Sequence, residues 1–100
     1  MNGLVSAGGI NLKNMKQLDL EVDHTTYKYT YNFGSSKPHL IYGWSDYGKT
    51  YSTANPCFLV NVDRGDTYGV DTIIHAIYTE STNSVTVTLE HVSLFHLIFA

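Results

Sequence analysis

His91-Val92-Ser93-Leu94-Phe95-His96-Leu97-Ile98-Phe99-Ala100 is the stretch whose reading decides the fold. No Asp, Glu, Lys or Arg follows Glu90. Side chains alternate across a pleated backbone, so a strand here puts Leu94, His96 and Ile98 on one face and Phe95, Leu97 and Phe99 on the other. Both faces are apolar. An antiparallel sheet ordinarily wets one face, so this strand needs a core beneath it and a cover above it, most simply a second copy of the chain. Leu94, Phe95, His96, Leu97, Ile98 and Phe99 are therefore read as an oligomer interface.

The same period of two runs upstream. Leu18, Leu20 and Val22 alternate with Gln17, Asp19, Glu21 and Asp23. After a turn at 23–26, Tyr27, Tyr29, Tyr31 and Phe33 form a ladder of rings, which a half-buried pleat favours as core over a binding platform. Gly34 to Pro38 reads as a turn and His39 to Trp44 as a short strand. A long polar loop follows over 45–56, then a strand over 57–63 and a turn over 64–69. Val70 to Tyr78 reads as one strand, 79–84 as a hairpin connection, and Val85 to Glu90 as the strand before the last. No segment sustains a capped helical period. The pattern predicts an all-β chain, a single antiparallel β-sandwich, jelly-roll-like, of about seven strands over 17–100. Residues 1–16, with Gly3, Gly8 and Gly9 and no sustained period, read as a flexible N-terminal tether.

One hundred residues fit one domain. The net charge is −3 and the six basic residues are dispersed, so no positive stripe exists for a phosphate backbone and nucleic acid is not an expected partner. Charged residues make up 15% against a usual share of about 25%, while eight Tyr supply polarity without charge. Such a surface suits sugars, proteins or a packed assembly. No apolar run approaches the roughly 20 residues of a membrane helix, so membrane insertion is not expected. The N-terminus has neither a basic segment nor a long apolar one, which points to synthesis in the cytoplasm. The lone Cys57 reads as a buried small side chain.

The five histidines, His24, His39, His75, His91 and His96, are scattered, with no His-x-His pair and no Cys or carboxylate at ligand spacing. Neither a metal nor another cofactor is expected, and the default is histidines that line or cap the core. Asp63, Asp66 and Asp71 miss the spacing of a calcium loop and read as turn residues. Arg64-Gly65-Asp66 spells an adhesion tripeptide, but Gly-Asp is also what a tight turn requires. No Ser, His and Asp stand in a recognisable hydrolase setting, so the chain is read as non-enzymatic.

The long loop is the candidate binding site, since connections of this length in compact domains tend to carry function. Trp44, Tyr47 and Tyr51 offer flat rings to the apolar face of a sugar, and Asp46, Lys49 and Asn55 could hydrogen-bond its hydroxyls. The structural alternative has Trp44 plugging one end of the sandwich with the tyrosines packed over it.

The aromatic strand Tyr27-Lys28-Tyr29-Thr30-Tyr31-Asn32-Phe33, the Lys37-Pro38 step into His39-Leu40-Ile41-Tyr42, the Thr/Ser-rich hairpin from Thr79 to Thr88 and the ending Leu94-Phe95-His96-Leu97-Ile98-Phe99-Ala100 follow one another in a familiar order. In this order the chain from about Leu18 resembles the C-terminal tip domains of bacteriophage tail fibres and, more distantly, trimeric H-type lectins. The resemblance implies a homotrimer in a virion that binds a cell-surface glycan or protein receptor. It carries over no individual binding residue. A small structural virion protein, such as a capsid decoration or head-tail joining protein, and a non-viral lectin are the alternatives.

Overall fold

The structure, a computed structural model, describes residues 6–7, 10–11, 16–46, 56–71, 73–90 and 94–100. Its strands are β1 (Ser6–Ala7), β2 (Ile10–Asn11), β3 (Lys16–Glu21), β4 (Lys28–Asn32), β5 (Leu40–Trp44), β6 (Cys57–Asn61), β7 (Tyr68–Val70), β8 (Ile74–Thr79), β9 (Ser84–Leu89) and β10 (Leu94–Phe99). Among the described residues there is no helix. β1 and β2 pair as a two-stranded ribbon within the stretch read as a tether. The other eight strands form two four-stranded sheets, a first in the order β3-β10-β5-β6 and a second in the order β4-β9-β8-β7. Every pairing is antiparallel.

The expected sandwich is present, with eight strands rather than seven. The extra one comes from the segment read as a single strand, which turns back on itself at Asp71. The Asp71 carboxylate accepts the Ile73 amide at 3.3 Å, and the Asp71 amide donates to the Ile74 carbonyl at 2.7 Å. Residues 68–70 therefore pair with 75–77 as a hairpin. An aspartate that bonds its own backbone two residues on makes a turn in an otherwise strand-like run.

Strand alternation supplies the core. Ile41, Phe58, Val60, Phe95 and Leu97 project inward from the first sheet, and Ile74, Ala76, Tyr78, Val85, Val87 and Leu89 from the second. Tyr29, Tyr31 and Phe33 pack against this cluster, as the ladder predicted, and bind the sheets into one body. Tyr29 meets Phe95 edge-on at 6.0 Å, and Phe99 lies 5.5 Å from Tyr31 and 4.9 Å from Phe33. Such ring pairs add about 0.5–1.5 kcal/mol each beyond their burial. Tyr27 leaves the ladder: it sits at φ 57° in the turn, where the Asp23 carboxylate accepts the Thr25 and Thr26 amides.

Two glycines bring backbones together. Gly43 faces inward beneath the Phe58 ring, and Gly69 lies against the Leu59 carbonyl, where β7 crosses β6. The β8–β9 turn is fixed by Asn83 at φ 48°. Its side-chain Nδ2 donates to the carbonyls of Gly34 and Ser36 at 2.9 and 3.2 Å, and its side-chain oxygen accepts the Tyr78 hydroxyl at 2.8 Å.

The last strand is central. β10 lies between β3 and β5, and the Ala100 carbonyl accepts the amides of His39 and Leu40 at 2.7 and 3.3 Å. Phe95 and Leu97 are completely buried in the protomer's own core, so these two are not free to meet another chain, while Phe99 packs against that core and is half-buried. The outer face of β10 belongs to Leu94, which is 61% exposed, and to His96 and Ile98, which neighbouring strands half-cover. The cover that the sequence assigned to a second copy is thus partly supplied from within.

Candidate site on the outer face of the first sheet

The register of the first sheet sets His96 opposite Asp19 on β3 and opposite Trp44 on β5, and sets Ile98 opposite Tyr42. All of them lie on the outward side, because their neighbours Leu18, Leu20, Ile41, Gly43, Phe95 and Leu97 point inward. The result is a row of rings. Tyr42 and Trp44, two residues apart on β5, have centroids 5.5 Å apart and planes inclined by 34°. Trp44 and His96, across the strand pair, are 4.9 Å apart and inclined by 31°. Tilted rings at these distances attract one another, and a protonated imidazole adds a cation–π component.

Both nitrogens of His96 meet a carboxylate. Nδ1 lies 2.7 Å from Oδ1 of Asp19, and Nε2 lies 2.9 Å from Oδ2 of Asp46. Asp46 follows the buried Ser45 just beyond β5, and the Ser45 amide donates to the Pro56 carbonyl at 3.0 Å. That bond joins the two ends of the long loop and holds Asp46 over β10. The carboxylates raise the pKa of His96 above 6.5, through the Asp46 bond above all, against a smaller opposing effect of burial. Asp19 is held below the usual carboxylate value, first by His96 and then by Gln17, whose amide lies 3.3 Å away.

Beyond Tyr42 stands Cys57, which is half-buried on this outer face rather than in the core as expected. Burial, and then the hydrogen bond with Cys57, push the Tyr42 hydroxyl above its ordinary value. Leu59, opposite Tyr42 on β6, is exposed. The face thus has an aromatic and aliphatic centre with Asp19, Glu21 and Asp46 on its rim.

Of the predicted loop residues, Trp44 and Asp46 are in this cluster, while Tyr47, Lys49, Tyr51 and Asn55 lie outside the described residues. Trp44 does not plug the end of the sandwich, because its position on β5 points it outward. The proposed ligand site and the proposed interface, far apart in sequence, meet on one face: Trp44 touches His96 and Asp46 bonds to it. Sequence reasoning missed Asp19 and Tyr42 as members of a site, and it assigned His96 to the interface rather than to the ligand site. Asp19 stood out only as a polar residue in an alternating strand, and nothing local revealed which strand would lie beside it.

Two of the other described histidines also engage carboxylates. His39 Nδ1 meets both oxygens of Asp63 at 2.8 and 2.9 Å, and His24 pairs with Glu21. Among the described residues no group of three or more His, Cys, Asp and Glu side chains could hold a metal ion. Asp19 and Asp46 approach opposite edges of the imidazole, so they do not converge on one point. The Arg64-Gly65-Asp66 tripeptide is closed on itself. Arg64 Nε and Nη2 donate to Asp66 at 3.1 and 2.6 Å, Gly65 takes φ 92°, and Asp66 also accepts the Asn61 amide at 3.1 Å.

Comparison with known proteins gives no match: no family model fits the chain, and neither a curated protein nor a solved structure matches it.

Proposed function

We propose that the chain is a non-enzymatic, virion-associated binding domain, the receptor-binding tip of a phage tail fibre or baseplate protein. It takes a cell-surface glycan on the outer face of the first sheet. The observation that supports this best is the Tyr42–Trp44–His96 row framed by Asp19 and Asp46. Rings offer apolar surface to the C–H face of a sugar, and carboxylates accept from its hydroxyls. His96, with a carboxylate on each ring nitrogen, is read as part of this binding row rather than as a catalytic base.

In this proposal the assembly is a homotrimer. Leu94 and Leu59, exposed beside the ring row, are the apolar residues through which subunits meet. Each glycan site then lies next to a subunit boundary, and symmetry turns weak single sites into avid binding. The test is a glycan panel together with molar mass in solution, on the parent chain and on Trp44→Ala and Asp46→Asn. The expected result is a trimer that binds one class of glycan and variants that keep the mass and lose the binding. A panel without binding would overturn the glycan reading, and a monomer would overturn the trimer.

A further inference from the structure

We infer that His96 is a protonation-controlled pin: as an imidazolium it holds Asp19 and Asp46 to the outer face of β10 at once, and on losing a proton it lets one of them go. The geometry carries this. A neutral imidazole has one N–H and one lone pair, whereas an ionised carboxylate can only accept. Two carboxylates at 2.7 and 2.9 Å on the two ring nitrogens therefore require both nitrogens to carry hydrogen. When one proton leaves, one nitrogen turns a lone pair toward a carboxylate, and that contact changes from attraction to repulsion.

No other described group competes for the ring. From β3 the charged residues on this face are Asp19 and Glu21, and Glu21 is engaged by His24. From β5 and its extension come Tyr42, Trp44 and Asp46, with Cys57 on β6 beyond Tyr42. Along β10 the neighbours on this face are Leu94 and Ile98, and the inward neighbours Phe95 and Leu97 are apolar. The raised pKa of His96 agrees with a pin that is charged at and below its ordinary titration range.

The pin has a consequence for the face, and this part rests on the glycan reading above. Asp46 and the Trp44 ring are held by the same imidazole, one by a hydrogen bond and the other by a tilted ring contact at 4.9 Å. His96 is thus a positioning residue for both, and ligand affinity falls as pH rises through its titration.

Trp44 is the only tryptophan in the chain, and a protonated imidazole in contact with an indole quenches its emission. Tryptophan-selective fluorescence of the ligand-free protein against pH therefore reads the pin directly. The expected result is a single rise in emission with a midpoint above 6.5. The rise should vanish in His96→Gln and shift to lower pH in both Asp19→Asn and Asp46→Asn. A midpoint at or below 6.5, or one unmoved by either carboxylate variant, would overturn the pin. Circular dichroism of each variant at both ends of the titration confirms that the fold is intact, and imidazole nitrogen shifts of His96 in the parent chain give the same midpoint without any substitution. Glycan binding is measured separately on both sides of the midpoint. Loss of binding at both pH values with the fluorescence titration intact would count against the glycan reading alone.

Discussion

Replacing Gly43 by alanine would set a methyl carbon 2.3 Å from Cε1 and 2.5 Å from Cζ of Phe58, and 3.2 Å from the His96 carbonyl oxygen. Two effects oppose one another. Alanine removes backbone freedom from the unfolded chain, which favours the variant by about 0.4–1 kcal/mol where the native backbone suits it. Forcing a methyl into a filled core costs about 1–3 kcal/mol. The second effect wins here, because Phe58 is buried and its ring cannot swing into solvent. Its Cβ also faces the backbone at Gly69, so close that a side chain there would begin 3.1 Å away. The net destabilisation expected is about 1–2 kcal/mol, and at about 4–8 °C per kcal/mol for a domain of this size the melting temperature falls by roughly 5–15 °C. Thermal unfolding followed by circular dichroism, with urea titration beside it, measures both quantities. Shortening the ring in the double variant Gly43→Ala/Phe58→Leu should return part of the loss. A single variant that melts at or above the parent temperature would refute the account, since it would mean that Phe58 yields freely and that β5 does not lie tightly on β10.

Asn83→Ala should destabilise by about 1–3 kcal/mol in urea titration. It puts alanine at φ 48° and removes the amide that ties the Gly34 and Ser36 carbonyls to the β8–β9 turn, leaving the partly buried Tyr78 hydroxyl to find another acceptor. The stability difference between the parent and His96→Gln should depend on pH in a defined way. The raised pKa of His96 gives a contribution that is complete below 6.5 and is lost as pH rises through the folded value. The lowered pKa of Asp19 gives one that is present above 3.8 and is lost as pH falls through the folded value. The difference is therefore largest between 3.8 and 6.5 and shrinks on either side, which denaturation midpoints across a pH series will show.

The alternation of apolar side chains told which face of each strand is buried, because that choice depends only on local period and on the need to hide hydrocarbon. Phe58, Val60, Val85, Val87, Phe95 and Leu97 are all where the period places them. It did not reveal the turn at Asp71, since Val70, Ile73, Ile74, Ala76 and Ile77 stay apolar across it and two local bonds of Asp71 decide the matter. Nor could it reveal the site. Asp19, Trp44 and His96 come together through strand order, and order is set by the packing of the whole sandwich rather than by the residues around each of the three. Cys57 illustrates the same limit, for its position two residues along from Leu59 fixed its face but not the solvent exposure of that face.

The central place of β10 has a bearing on how the domain comes to be made. Until Leu94–Phe99 leaves the ribosome, β3 and β5 have no common neighbour, and each offers an open edge to any passing chain. Phe95 must find Leu20 across nearly the whole domain, a closure of high contact order that is slow to form. Synthesis thus passes through a stage in which half the sandwich waits with bare edges. The first sheet is complete only once Leu94–Phe99 lies between β3 and β5.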